Sequence, residues 1–550
     1  MTVPPADSAK PLSHKALRQL VSDLAGKLDS LEQELSALRT HTHNLQEEAE
    51  RLRLDNSALR ADNLALKDEI ARLKKLPPRP PFKPSGMEKA TQPKPAGPSR
   101  RPGRGAKRDQ VTREVTIPVD PPPGSRFKGY KIVTRRDLIV AAEVVRYKRE
   151  RWLTPEGQTL IAPLPPGLTG GFGPGVRRFC LALHTQGQVT TERLTDLLNG
   201  IGLAISKRQV VRLLTADLEP FEQEDHAVLK AGLISSPYIT VDDTGARHAR
   251  RPGVTTQIGG ERFTVFRTGR SKSRLNFLSL LRAGHEDYVI NEAALAYLRT
   301  QPVEGAVITR LAAHPDQVFS SHMEWLEHLL RCSINIFDRP LLRLLNEAAT
   351  WGAIRHHGLM ENTVIVSDDA GQFRIGRHAL CWVHAERQLQ KLMPASPKQA
   401  KTVELVRQAI WCFYRSLKLW KQSPSPGGER AFRRQFDKIV GQRTGYKELD
   451  TLLARLARRK AELLRVLERP DTPLHTNASE NDLRACVIKR KISGGTMSGR
   501  GRLARDVMLG LLKTCRKLGL SFFTYLGDRL GLSADQPKIP PLATLVVHAP

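Results

Sequence analysis

The sequence lacks the features that mark secreted, membrane-spanning and zinc-finger proteins. Its six cysteines are scattered with no two close together, so neither a disulfide framework nor a Cys-x-x-Cys zinc site is expected. The sequence contains no run of about 18 apolar residues, so we do not expect a membrane partner. The N-terminal MTVPPADSAKP has no charged-then-apolar signal pattern.

Acidic residues are also scarce relative to basic ones. Lysine and arginine number 87 against 56 aspartates and glutamates, which gives a formal charge of +31. An excess of this size indicates a polyanionic partner, and double-stranded DNA is the usual one. We therefore expect a cytoplasmic, nucleoid-associated protein, and 550 residues leave room for roughly three or four domains.

A leucine occurs at every seventh position from Leu17 to Leu73. With these leucines as d positions, the a positions include Val21, Leu28 and Asn56, and the apolar seam is as narrow as in a coiled coil. Asparagine at an a position fixes register and favours two strands. We expect a leucine-zipper homodimer over residues 13–76, with a single amphipathic helix packed on its own protein as the alternative.

The composition changes twice behind this coil. Residues 77–110 form a basic, proline-rich linker that is either solvated or contacts DNA without sequence preference. Alternating apolar and polar residues predict a small β-rich module over 111–165. Helical patterns over 176–230 then predict either a helix-turn-helix DNA-binding region or ordinary helix packing. The second of these helices, which Ser206 begins, carries the basic candidates Lys207, Arg208 and Arg212.

Paired carboxylates follow two strand patterns further along the chain. YITVDD begins an antiparallel meander and ends in Asp242 and Asp243. ENTVIVSDD, after a largely helical insertion over 271–360, ends in Asp368 and Asp369. Adjacent strand residues point to opposite faces, so only one member of each pair can face a common site, and we favour Asp242 and Asp368. The alternative is that each pair is only a strand-ending turn.

A third carboxylate lies at the start of a later helix. Asn477 and Glu480 stand three residues apart there, so Glu480 either completes a capping box or faces the two aspartates. Two strand aspartates and one helix glutamate in a basic chain indicate an α/β, RNase H-like fold. Such an oxygen-only set selects Mg²⁺ or Mn²⁺, and two such ions can activate the attacking oxygen and stabilise the leaving one at phosphorus.

Several segments resemble the signature blocks of insertion-sequence transposases of the IS66 family: VDDTGA, VIVSDDAGQF followed by CWVHAERQL, and TNASENDLR followed by SFFTYLGDRL. The resemblance implies a DDE transposase in which Asp242, Asp368 and Glu480 are the catalytic residues and the metal ligands. It also implies cleavage of transposon ends, transfer of the cut strand into target DNA, and small accessory transposition proteins.

The resemblance has three departures. In the third block, where relatives tend to have paired asparagines and Glu-Arg, this chain keeps Asn477, Glu480 and Arg484 but has Thr476 and Asn481. Asp243 stands where relatives commonly have glutamate, which leaves the first carboxylate in place. Many relatives carry a cysteine zinc module between the coil and the catalytic domain, but residues 109–165 contain no cysteine. We therefore expect a β-rich module without zinc ligands.

The catalytic domain is expected over 236–490, with a basic helical C-terminal region over 491–550. Further candidate DNA contacts are His384, Arg387, Arg484, Lys489, Arg490 and Lys491. His384 and Arg387 could instead orient a carboxylate, or be a packed histidine and a solvated arginine, and Arg484 could pair with the glutamate one helical turn before it. Two other functions remain open: an RNase H-like nuclease without strand transfer, and a zipper-type DNA-binding regulator without catalysis.

Overall fold

The computed structural model describes scattered positions between 22 and 55 and then residues 113–138, 140–165, 170–532 and 537–548. The chain divides into two units, Met1–Pro84 and Ser85–Pro550. Every described residue of the first unit is helical and exposed. Leu28 and Leu31, at a and d positions of the predicted seam, are 58% and 63% exposed. The rest of the predicted coil and the linker over 77–110 lie outside the described residues.

The predicted β-rich module over 111–165 is not confirmed. Its only strands among the described residues are β1 (Arg151–Leu153) and β2 (Thr159–Ile161), which pair antiparallel. Apolar residues of the alternating pattern are exposed, as Ile117 and Val133 are at 88% and 84%. In the described part of this segment, no second layer covers the apolar residues, as a stable small sheet requires.

Four helices precede the central sheet: α1 (Pro174–Thr185), α2 (Thr191–Gly200), α3 (Lys207–Thr215) and α4 (Glu219–Ser235). The first predicted helical pattern is therefore two helices, separated by a connection in which Gln188 has a positive φ of 56°. Ser206 begins α3 as predicted, in a capping box with Gln209. Six residues form the turn that connects α2 to α3, so these two helices are a helix pair.

A five-stranded mixed sheet forms the centre of the second unit. Its strands are β3 (Tyr238–His248), β4 (Arg251–Gly259), β5 (Thr264–Gly269), β8 (Val364–Ser367) and β9 (Arg377–Leu380). The first three form the predicted antiparallel meander, and β8 and β9 continue the sheet in parallel from β3. The resulting order is β5-β4-β3-β8-β9. β8 is buried along its whole length, as its apolar run predicts.

The segment between β5 and β8 is largely helical, as predicted for residues 271–360, and it also contains a short antiparallel strand pair. Its elements are α5 (Arg274–Leu281), β6 (Tyr288–Val289), α6 (Glu292–Arg299), α7 (Gly305–Ala313), β7 (Val318–Phe319), α8 (His322–Arg331) and α9 (Arg339–His356). α9 is the core of this insertion, because it is buried from Leu344 to Ile354 and packs against α5, α6 and β6.

A second helical region follows β9 and has a hydrophobic core of its own, which includes Trp382, Phe413 and Leu453. Its helices are α10 (Trp382–Gln390), α11 (Pro397–Gln422), α12 (Pro426–Val440), α13 (Lys447–Arg458), α14 (Lys460–Leu463) and α15 (Arg465–Glu468). This region separates β9 from the helix that bears Glu480.

The last helices return to the central sheet. They are α16 (Asn477–Ser493), α17 (Gly499–Lys517), α18 (Phe522–Arg529) and α19 (Leu542–His548). α16 packs against β3 and β4, and α17 packs against β5. The predicted boundary at residue 490 therefore falls inside α16, and the two helices on either side of it cover one sheet. Among the described residues, no helix is long and apolar enough to cross a membrane.

Candidate active site

Asp242 and Asp368 lie just beyond the ladder that joins two parallel strands. β3 and β8 pair up to Thr240↔Val366, and each aspartate stands two residues further along its strand. Because the carboxyl ends of parallel strands meet at one edge of a sheet, both side chains lie at the edge where open α/β sheets bind ligands. The sequence predicted that β3 ends at its acidic pair. This prediction is wrong, because the pairing of β3 with β4 continues to His248.

Negative charge accumulates at this edge. Burial raises the pKa of Asp242 to about 6, and the charge of Asp368 acts in the same direction. The Asp243 N–H donates to Oδ1 of Asp242 at 2.7 Å, and the Ala370 N–H donates to Oδ1 of Asp368 at 3.0 Å. Neither aspartate has a lysine or arginine partner among the residues that the structure describes.

The second aspartate of each pair lies in different surroundings. Asp243 forms an ion pair with Lys272 and accepts a hydrogen bond from Gln372 Nε2 at 2.7 Å. Asp369 pairs with three arginines, Arg374, Arg455 and Arg459. The second carboxylate of each pair is thus compensated by cations, whereas the first is not.

Glu480 lies in the first turn of α16, where it does not form a capping box, since that helix begins without a side-chain cap. Both of its carboxylate oxygens accept hydrogen bonds from Arg387 on α10, at 2.9 and 3.3 Å. His384 Nε2 lies 3.6 Å from the same carboxylate. The Arg387 side chain is only 17% exposed, so this residue orients a carboxylate and is not the solvated arginine of the alternative interpretation.

His384 connects the glutamate to the aspartates. Its ring lies beside Glu480 and interacts electrostatically with Asp242. Burial opposes protonation of this ring, but the contact with Cys381, together with Glu480, raises the pKa of His384 above its usual value. Asp368, Asp242, His384 and Glu480 therefore form a continuous series of interacting charged groups.

The remaining predicted DNA contacts fall into two groups. Five of them are exposed: Lys207, Arg208 and Arg212 on α3, and Arg484 and Lys491 on α16. Arg484 does not pair with Glu480, whose oxygens are both bound by the guanidinium of Arg387.

Lys489 and Arg490 bind other parts of the chain. The Lys489 ammonium donates to the carbonyl oxygens of His184 and Val189 at 3.0 and 3.4 Å, and burial lowers its pKa to about 8. Arg490 donates to the carbonyl oxygen of Gly245 in β3. Both side chains thus hold α16 against neighbouring segments.

The partners of the two neighbouring aspartates were not predicted from the sequence. Lys272 and Gln372 are 29 and 129 residues from Asp243, and no local pattern identifies either of them. The spacing of Arg455 and Arg459 could have been recognised in the sequence, because residues four apart on a helix share a face and can act on one carboxylate.

The chemistry of the site fits a hard divalent cation. Asp242, Asp368 and Glu480 offer only oxygen ligands, which suit Mg²⁺ or Mn²⁺ better than zinc. A cation bound between the aspartates would offset the cost of burying the Asp242 charge and its repulsion from Asp368, both of which raise the pKa of Asp242. Glu480 already has a cationic partner in Arg387, so it must exchange this partner to become a ligand.

The fold and the site together define a strongly basic, mixed α/β protein with a carboxylate cluster at the carboxyl edge of its sheet. A family model described as Transposase IS66 family matches residues 357–503, which contain Asp368 and Glu480. The uncharacterized protein y4jO of Sinorhizobium fredii is 63% identical over 319 residues, which cover 58% of this chain and 99% of that protein. The chain belongs to the IS66 family of transposases.

Proposed function

We propose that this protein is a DDE transposase that cuts the ends of a mobile DNA element and joins them to target DNA. The observation that carries the proposal is the electrostatic interaction of Asp242 on β3 with Asp368 after β8 and with His384. The His384 ring lies 3.6 Å from the carboxylate of Glu480 on α16. The three acidic residues are far apart in the sequence, so no local role such as a turn or a helix cap explains these interactions.

The sheet supports an RNase H-like interpretation of the catalytic domain. An antiparallel meander is extended by two parallel strands, and the helix that carries the third carboxylate packs across β3 and β4. This arrangement supplies two ligands from adjacent strand ends and one from a helix that crosses them. The proposed fold thus gives each carboxylate a rigid support, which a metal site requires.

In the proposed mechanism, Asp242 and Asp368 would hold the divalent cations and Glu480 would complete the set. Two bound Mg²⁺ ions would supply activation of the attacking oxygen and stabilisation of the leaving oxygen in phosphodiester cleavage. Arg387, once it releases Glu480, presents a planar guanidinium that can bind a DNA phosphate through two hydrogen bonds. His384 lies beside Glu480 and interacts with Asp242, and these interactions favour its protonated form.

DNA binding is proposed to use the exposed basic surfaces as well as the site. Lys207, Arg208 and Arg212 lie exposed on α3, the second helix of a helix pair, in the position of a recognition helix. The net charge of +31 supports non-specific attraction to the phosphate backbone. A dimer formed through the N-terminal leucine repeat would let two element ends be processed together.

The proposal is tested with the full-length protein, a labelled duplex from the end of the DNA element that encodes it, a plasmid target and Mg²⁺. We expect a cut end and a labelled product joined covalently to the plasmid. Cleavage without joining would identify a nuclease instead. Binding without cleavage, by a folded dimer, would identify a regulator and remove catalysis from the account.

A further inference from the structure

Two histidines and a cysteine form a compact cluster in the helical insertion, outside the acidic site. His314 follows the end of α7, His328 lies on α8, and Cys332 follows the last residue of α8. Ligand atoms of the three side chains all lie within 4.8 Å of one another. His328 and Cys332 are four residues apart, so the helix places them on one face.

The spacing of the ligand atoms matches tetrahedral coordination. His328 Nε2 and Cys332 Sγ are 3.6 Å apart. Zinc–nitrogen and zinc–sulfur bonds of about 2.0–2.1 and 2.3 Å at a tetrahedral angle separate the two ligand atoms by about 3.6 Å. The ring of His314 meets that of His328 edge to face, with centroids 4.4 Å apart. A third nitrogen ligand is therefore available beside this pair.

Burial leaves the cluster incompletely satisfied. His328 is fully buried, and its Nδ1 has no hydrogen-bond partner among the described residues. When Nε2 binds a cation, Nδ1 is the nitrogen that carries the proton, so Nδ1 is not itself a ligand. The His314 side chain is 26% exposed, and the neighbouring Asp316 carboxylate is more open still. Solvent can therefore reach a fourth coordination position.

We propose that His314, His328 and Cys332 bind one zinc ion, or a similar borderline-soft divalent cation, with water as the fourth ligand. The nitrogen and sulfur ligands select this class of cation over Mg²⁺, which the oxygen-only site takes. The ion would link the end of α7 to α8 and so stabilise the insertion. This site does not depend on the proposed catalytic role of the carboxylates.

A second histidine cluster in the insertion serves as an internal control. His285 and His357 stack face to face, with centroids 3.6 Å apart and ring planes only 11° apart. Lone pairs of stacked rings lie in parallel planes and do not converge on one ion. His357 Nε2 is also occupied, since it lies 2.9 Å from both carboxylate oxygens of Asp287. His357→Asn should therefore leave cation binding unchanged.

The test is a Co²⁺ titration of the chelator-treated full chain in excess Mg²⁺, which occupies the oxygen site. We expect one equivalent of Co²⁺ to produce thiolate-to-metal charge-transfer absorption and the intense visible bands of tetrahedral cobalt, and Zn²⁺ to abolish both. Cys332→Ser should remove the charge-transfer band, and His314→Asn should weaken binding by at least about tenfold. Cys412→Ser, at an exposed cysteine, should change neither.

The absence of a charge-transfer band in the folded parent chain would overturn the proposal, as would its persistence in Cys332→Ser. Circular dichroism checks that each variant is folded. If Cys332→Ser fails to fold, His314→Asn decides the question, because this side chain is partly exposed and its replacement leaves the buried pair intact. Undiminished cobalt affinity in His314→Asn would then overturn the three-ligand site.

Discussion

Asp242 and Asp243 are neighbours on β3, yet their carboxylates lie in opposite electrostatic environments. Asp242 is buried beside Asp368 without a compensating cation among the described residues, and its pKa rises to about 6. Asp243 has Lys272 and Gln372 as partners. A residue whose charge is costly in the folded state fits a role that requires the charge, and catalytic sites commonly reduce stability in this way.

Asp242→Asn should stabilise the metal-free protein at pH 7.5. The raised pKa means that the folded state favours the protonated acid, so the contribution of Asp242 to stability is fully present below about pH 4 and is lost as pH rises through about 6. Removing the charge should raise the free energy of unfolding by an amount on the order of 1–3 kcal/mol at pH 7.5 and by about half as much at pH 5. Urea denaturation at both pH values measures the difference.

Asp243→Asn is the matched control for this measurement. Because Lys272 loses its partner, this variant should be destabilised by up to about 1 kcal/mol at pH 7.5. Equal shifts of the same sign in both variants would contradict the assignment of the two carboxylates. Saturating Mg²⁺ should remove the advantage of the Asp242 variant, since the ion stabilises only the parent chain.

Two helices from different parts of the chain determine the position of the third carboxylate. Arg387 on α10 holds Glu480 on α16 through two hydrogen bonds, although the two residues are 93 positions apart. The separate core of the second helical region supports α10, and the central sheet supports α16. The position of Glu480 therefore depends on how α10 and α16 are placed relative to each other. Its release from Arg387 is the step that completes the proposed ligand set.

Arg387→Ala should strengthen Mn²⁺ binding in the absence of DNA. The guanidinium competes with a cation for Glu480, and its removal should tighten binding by about 3–10-fold. Mn²⁺ electron paramagnetic resonance of the free ion measures the affinity. Arg455→Ala, which removes an arginine from Asp369, is the control and should leave the affinity within error. Weaker Mn²⁺ binding in the Arg387 variant would show that the arginine supports the site instead of competing for it.

The elements that could be predicted are those with a strong local pattern. The apolar runs before Asp242 and Asp368 identified β3 and β8, and the turns identified the meander. β9 was missed because its four residues, RHAL, include two basic side chains and form no continuous apolar run like that of β8. The sequence allowed Arg387 to orient a carboxylate, but nothing in it indicated that this carboxylate is Glu480.

Charge and the leucine repeat act on the molecule as a whole. The excess of basic residues favours a non-specific electrostatic attraction between the whole chain and DNA, which does not depend on any single contact. The exposure of Leu28 and Leu31 in the described part of the first unit leaves apolar side chains open to a partner helix. The order of the acidic residues along the chain was readable from the sequence, whereas their compensation by distant cations depends on the folded chain.

Deletion of residues 1–76 should convert the protein from a dimer to a monomer. The repeated leucines are the predicted source of self-association, and their loss removes the apolar seam. Light scattering combined with size exclusion measures the mass of both forms. The shortened protein should retain the fold of the second unit, which circular dichroism and thermal unfolding can verify. A dimer of unchanged affinity would contradict the coiled-coil assignment.

The central claim is that Asp242, Asp368 and Glu480 form one metal-dependent catalytic site. The most direct measurement is the single-turnover rate of Mg²⁺-dependent cleavage of a labelled element end, at equal DNA occupancy, for each residue and its neighbour. Asp242→Asn, Asp368→Asn and Glu480→Gln should each lose at least about a thousandfold in rate. Asp243→Asn and Asp369→Asn should remain within about tenfold of the parent. Cleavage at the parent rate by any of the first three variants would contradict the proposed site. An equal loss of rate in Asp242→Asn and Asp243→Asn, or in Asp368→Asn and Asp369→Asn, would contradict it as well.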